Sequence, residues 1–435
     1  MLPSAPLPGA RPVQDARVHI LNPRARVPVS LIIDDSTCLV NLAHFCIPHF
    51  AEAWPDRYQQ PWKTLPREIP DAFVQKFGEW CHSQGVKGKY SIIPYPACVG
   101  WIDRDFPGWS RRELEQSLDL ARTLLAPDWD FHPEMISHTW VLDLKTGRPV
   151  QERTGEYIEN WWGKGRTTDE VADYQVYALR LLRNVGIECE GITTPGGWGN
   201  ACLAELSQGT LHACRSVFNA EIPHYFRHVF TDERSVAPRV EYAADLGGTD
   251  PRCVVSVIGC TGDWFGGWDG LSPGDPDRCI TADGRGGRLP EVIAREEPAI
   301  LVCHWPGIYY NGDEIGFRIF QQVVGRLHEH YNNLHWMKLS EISRYWAARE
   351  LTATAWAGDR TQFRAPFSCP GFTVQSPAPA AGVPRLLHEG RETPLREVVG
   401  LLHLEPGTWT RVGPEVAACF DLPRGESELG YTAPK

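Results

Sequence analysis

Between about residues 27 and 350, short apolar runs alternate with helical patterns, the signature of βα units laid around a parallel sheet. The first run, 29–33, is apolar at nearly every position, as a strand buried on both faces requires. Further strands read at 90–93, 131–137, 187–193, 254–259, 300–304 and 334–339, with a fainter one near 217–222. A helix over 70–84 puts Phe73, Phe77, Trp80 and Cys81 on one face, between Pro70 and the stop at Gly85. A second opens at Ser110 with Glu113 three residues on, and a third at Thr167 with Glu170, both with the spacing of a capping box. Helices at 200–207, 315–330 and from Ser340 complete the series. About eight strands predict an α/β fold, a distorted (β/α) barrel over 28–350. An N-terminal extension, 1–27, precedes it. From about residue 352 helical periodicity gives way to Pro, Gly and short apolar runs, which predicts a small β-rich C-terminal module over 351–435.

Composition narrows the function classes. The chain has 435 residues and a formal net charge of -11, so it carries no basic footprint for nucleic acid. No run is long and apolar enough to span a membrane, and the first 28 residues lack the apolar core of a secretory leader. Thirteen cysteines without a repeated C-x-x-C fit free thiols in a reducing compartment, so a cytoplasmic address is expected. Seventeen tryptophans, many in loop-like stretches, suit stacking on sugar rings, although core packing is the commoner fate of any one. Oligomerisation is left open.

Chemistry-bearing residues fall at the carboxyl ends of the strands, the end that faces the ligand in such folds. Asp34 and Asp35 follow the first strand, His138 the third, Pro195, Gly196 and Gly197 the next, then Asp263, and His304 ends 300–304. Residues so scattered would meet at one rim. Two adjacent carboxylates are hard to ionise together, which suits a division into a base and a metal ligand.

Ile32-Ile33-Asp34-Asp35-Ser36 resembles the first motif of the polysaccharide deacetylase family, in which a strand delivers a general base and then a metal ligand. Residues 134–140, with His138-Thr139, resemble the second motif. Thr194-Pro195-Gly196-Gly197 is similar in place to the third, and Leu301-Val302-Cys303-His304 to the fifth, whose His is the general acid. The resemblance covers about residues 28–340 in the family's order. It implies a divalent metal, Zn2+ by preference, with Asp35 and His138 as ligands, Asp34 as base and His304 as acid. Two positions depart from the family: Leu142 stands where a second ligating His is usual, and Thr193 and Thr194 where an Arg normally orders the base.

For the missing ligand, Asp143 is the candidate, with His304 as a further one. His132 shares parity with Glu134 and His138, but in a straight strand six residues would set it roughly 20 Å from His138. The remaining pocket candidates are Glu134, Trp198, Asp263, Trp264, Trp305 and Tyr309 as substrate-binding residues beside Pro195, Gly196 and Gly197. Removal of an acyl group from an acylated sugar or a related amide or ester is the expected activity. A metal-free glycoside hydrolase using paired carboxylates, and a carbohydrate-binding protein without catalysis, are the alternatives.

Overall fold

A computed structural model describes residues 11–151, 157–380 and 382–432. The ends of the two flanking segments, 1–10 and 433–435, lie outside the described residues. The central unit is a mixed α/β fold of two sheets. The strands are β1 (Val27–Asp34), β2 (Gly88–Ser91), β3 (Trp129–His132), β4 (Gly191–Thr193), β5 (His224–Val229), β6 (Arg239–Ala244), β7 (Arg252–Gly259), β8 (Ala299–His304) and β9 (Leu334–Trp336). The first sheet runs β8-β1-β2-β3, all parallel, with β9 paired to the beginning of β1. In the second, β4-β5-β7 are parallel and β6 lies antiparallel on β7.

These sheets do not close into one barrel sheet. They meet at two seams, where Thr193 N–H donates to Pro133 O (3.1 Å) and Cys260 N–H to Ile300 O (2.8 Å). The first seam carries a single bridge, Glu134 to Thr193, because β3 ends at His132 and Pro133 has no N–H to extend a ladder.

Local signals account for the helices. Asp71–Ser83 follows Pro70, and Arg111–Leu120 and Thr168–Asn184 both show the full capping box, from Ser110 with Glu113 and Thr167 with Glu170. The helix expected to end near 207 continues as Leu203–Phe218, so no strand forms at 217–222; the next strand is β5. Helix Leu42–Ala53 has no counterpart in the sequence pattern, since Pro48 interrupts it. It is held by a buried face of Leu42, Cys46 and Phe50 at four-residue spacing. Among the described residues no helix is long and apolar enough to cross a membrane.

The C-terminal segment forms two five-stranded sheets. One contains Ala353–Trp356, Arg360–Ala365, Gly425–Thr432, Val383–His388 and Arg391–Pro394. The other contains Cys369–Pro377, Glu415–Leu422, Thr408–Val412 and Arg396–Glu397, and the N-terminal strand His19–Ile20 pairs onto its edge. Phe363, Phe372 and Phe420 pack between them, in one apolar cluster with Ile300, Val302 and Tyr345 of the central unit. Tyr345 donates its hydroxyl to Leu21 O at 2.7 Å and so joins helix Leu339–Leu351 to the N-terminal strand.

His132 and His224 face one another inside the ring of strands, Nε2 to Nε2 2.9 Å, over Gly191, where a Cβ would lie 2.3 Å from the His132 ring. Burial lowers His224 to about 4, so it folds neutral, whereas in the unfolded chain it titrates near about 6.5. Its contribution to stability is therefore complete above about 6.5 and is lost as pH falls towards about 4. Denaturation midpoints should drop between pH 7.5 and pH 5, and His224→Gln should shallow that slope.

Candidate active site

Because β1 and β8 are parallel and in register, His304 sits directly beside Asp34. The apolar run of β1 thus ends with a carboxylate next to an imidazole. Asp35 leaves the strand with φ 56, a conformation that Asp tolerates better than most residues, and its N–H donates to Glu134 Oε2 at 2.9 Å. That bond ties the end of β1 to the segment after β3.

The strand expected over 131–137 stops at His132. Beyond it Met135 (φ 55) and His138 (φ 63) are left-handed, so the chain coils back instead of running on. The coil brings Glu134 and His138 to the same place, Oε1 to Nε2 3.4 Å, while His132 turns away to Thr193 and His224. His132 is therefore a hydrogen-bonded interior histidine and not a ligand. Buried Glu159 holds the coil in shape. Its carboxylate accepts the N–H groups of Ile136 (3.2 Å), Ser137 (3.0 Å) and His138 (2.5 Å) and the Tyr174 hydroxyl (2.5 Å). Burial pushes the Glu159 carboxyl up to about 7 against these bonds.

Asp35, Glu134 and His138 form a buried cluster whose ligand atoms all lie within 4.8 Å of one another. Asp35 Oδ1 is 2.9 Å from His138 Nε2 yet takes no hydrogen bond, although it is buried. Donor atoms 2.9 and 3.4 Å apart are close enough to share one ion. Two carboxylates and one imidazole, with Asp35 Oδ1 buried outside any hydrogen bond, fit a divalent cation. Burial disfavours the imidazolium, but Asp35 and Glu134 outweigh it and raise His138 well above its ordinary range; burial likewise raises Glu134, but His138 prevails and holds it at about 2. A cation in this place would displace the His138 proton. On its far side His138 Nδ1 faces Cys46 Sγ at 3.9 Å.

Asp34 is not in that cluster. Its Oδ1 accepts from Lys89 Nζ at 2.5 Å, and burial pushes the carboxyl up to about 6 against the pull of the ammonium. Beside Asp34, His304 Nδ1 pairs with Asp263 Oδ1 at 2.6 Å. Burial works against the charged imidazole, but Asp263, Asp35 and Asp34 carry it to about 10, so it holds its proton at neutral pH.

Other expected residues fall elsewhere. Asp143 is exposed in the hairpin of Leu142–Asp143 and Arg148–Pro149, where it accepts Lys145 N–H at 2.8 Å; a turn, not the cavity, is its place. Pro195, Gly196 and Gly197 form a turn packed against Asn160, and Arg227 donates to Gly196 O at 2.7 Å. Trp198 and Trp305 are fully buried, Trp198 stacked on Trp162 and Trp305 among Phe73, Phe77 and Tyr90. Trp264 is buried under Arg278, and Tyr309 packs on Phe73. Of the rings that run out from the cluster, Phe50, Tyr58 and Trp54 gave no signal in the sequence, whereas Trp161 and Trp268 lie in its tryptophan-rich, loop-like stretches. Phe50 lies 6.2 Å from His138, and Tyr58, Trp54 and Trp268 continue from it to Trp161, which is 54% exposed.

No protein-family model and no curated protein matches the chain. Among solved structures, a Mycobacterium smegmatis protein assigned as a polysaccharide deacetylase is 12% identical, with 82% of this chain and 99% of that one covered at a TM-score of 0.40. A Pseudomonas aeruginosa PAO1 protein so assigned is 10% identical, covering 74% and 91% at 0.40. PuuE allantoinase is 12% identical, covering 75% and 91% at 0.39. At this level the likeness transfers no residue role, and the chemistry has to come from the side chains themselves.

If Glu159 shapes the ligand coil, Glu159→Ala should weaken Zn2+ binding by about tenfold to a hundredfold, as loss of a group supporting a ligand does elsewhere. Asp143→Asn should leave it unchanged. Competition with a chromophoric chelator reads both.

Proposed function

We propose that the protein is a metal-dependent hydrolase of the deacetylase type, which removes an acyl group from an acylated sugar or a related amide or ester. The observation that carries this reading is the convergence of Asp35, Glu134 and His138 beside Asp34 and His304, an acid and a base set next to each other by the register of β1 and β8. A divalent ion, Zn2+ by the donor set, held by Asp35, Glu134 and His138 would polarise the acyl carbonyl and make water easier to deprotonate.

The remaining work belongs to the chain. Lys89 occupies Asp34 Oδ1, so the other oxygen of Asp34 is available to take the proton from water. His304, protonated and oriented through Nδ1 by Asp263, delivers a proton to the departing amine or alkoxide. The aromatic wall from Phe50 to Trp161 supports a ligand with a flat or sugar-like face. Thirteen free cysteines, nearly all buried, support a reducing, cytoplasmic setting. Paired-carboxylate glycoside hydrolysis has less support. Asp34 is bound to Lys89, Asp35 and Glu134 share His138, and Asp263 is bound to His304, so each of the four faces a cationic group.

Hydrolysis of p-nitrophenyl acetate and of an N-acetylated sugar should disappear on chelation and return with Zn2+. Asp34→Asn should lower kcat by at least about a hundredfold, the scale of general base catalysis, with metal content unchanged. Full turnover by that variant, or by the metal-free protein, would sink the assignment.

A further inference from the structure

Two adjacent carboxylates, Asp34 and Asp35, stand at the end of the same strand and are both buried, yet they are treated differently. Asp35 keeps a buried oxygen without a hydrogen bond, aimed at the cluster with Glu134 and His138. Asp34 Oδ1 is taken by Lys89, whose side chain is completely buried. The ammonium has three acceptors, Asp34 Oδ1 (2.5 Å), Ser91 Oγ (2.7 Å) and Ile33 O (3.1 Å), which match its three N–H donors. Lys89 and Ser91 lie two residues apart on β2 and therefore on one face of it, and Lys89 is opposite Ile32 in the ladder with β1. The ammonium is thus anchored by groups other than Asp34 and cannot follow that carboxylate if it moves.

A hard dication accepts carboxylate oxygens readily, and the strand end offers it both Asp side chains. We propose that Lys89 is a positioning residue that reserves Asp34, holding its carboxylate off the ion bound by Asp35, Glu134 and His138 so that Asp34 stays free for proton transfer. This rests on the metal-centre reading above. An ion pair that serves the fold alone would leave the number of ligands on the ion unaffected when it is broken. One that reserves Asp34 would not, because a buried carboxylate deprived of its ammonium turns to the remaining cation.

Co2+ is the probe, since its visible spectrum reports ligand number without any substrate. The wild-type protein should bind it stoichiometrically with the intense bands of a low-coordinate ion. In Lys89→Met the bands should weaken as Asp34 joins the ion, and Co2+ should bind more tightly. Adding Asp34→Asn to that variant should restore the wild-type spectrum and affinity. Should Lys89→Met not fold, Lys89→Gln, which keeps a donor but not the charge, makes the same comparison. A spectrum and affinity unchanged by removing the lysine charge would overturn the role of Lys89 and leave the metal centre standing. A wild-type protein that binds no Co2+ would remove the metal centre and this inference together.

Discussion

The cluster of acids and bases at the carboxyl ends of the strands is governed by charge balance in a poorly solvated place. Asp34, Asp35 and Glu134 are almost wholly withdrawn from water, and Asp263 is partly so. A lone ionised carboxylate in such surroundings is costly, and it persists only when paired and hydrogen-bonded. Lys89, His138 and His304 supply the compensation, each from a different strand or loop, and the pairing decides what each acid can do. Where a histidine is shared by two carboxylates, a cation can replace its proton. Where an ammonium is locked by three acceptors, the carboxylate is held in one place.

That balance depends on a backbone feature away from the sheets. The four steps from Glu134 to His138 would span well over 10 Å if extended, about 3.3 Å each. Two left-handed residues and the multiple bonds to Glu159 bring them within reach of one ion. The same coil interrupts the sheet, since the chain that could have continued β3 is spent in the turn. The open seam beside β4 and the assembly of the cluster are two results of one bend.

Much of this was legible from residues alone. The β1 run ending in Asp34 and Asp35, the capping boxes at Ser110 and Thr167, and His304 at the end of β8 are local signals, and local chemistry expresses them. Lys89 lies just before the strand read at 90–93, and neither its place in β2 nor its partner could be read without the register of β1 and β2. Glu159 gave no signal, because it lies in an irregular segment whose neighbours are aromatic. Glu134 was legible only as a pocket candidate, because its place 3.4 Å from His138 depends on the coil after His132.

Most strands and helices, the placement of acids and imidazoles at strand ends, and the net negative charge were determined by the sequence, because periodicity, capping and composition act over a few residues or over the whole chain. Which side chains meet was decided by the tertiary structure. A ligand set needs donor atoms placed within a few ångströms, and that placement follows from the bend after His132, the register of parallel strands and the burial of Lys89, none of which a one-dimensional pattern contains. Trp198 and Trp305 make the same point from the other side: an indole beside a glycine turn or after a strand end reads the same whether it faces a ligand or fills the core, and packing chose the core.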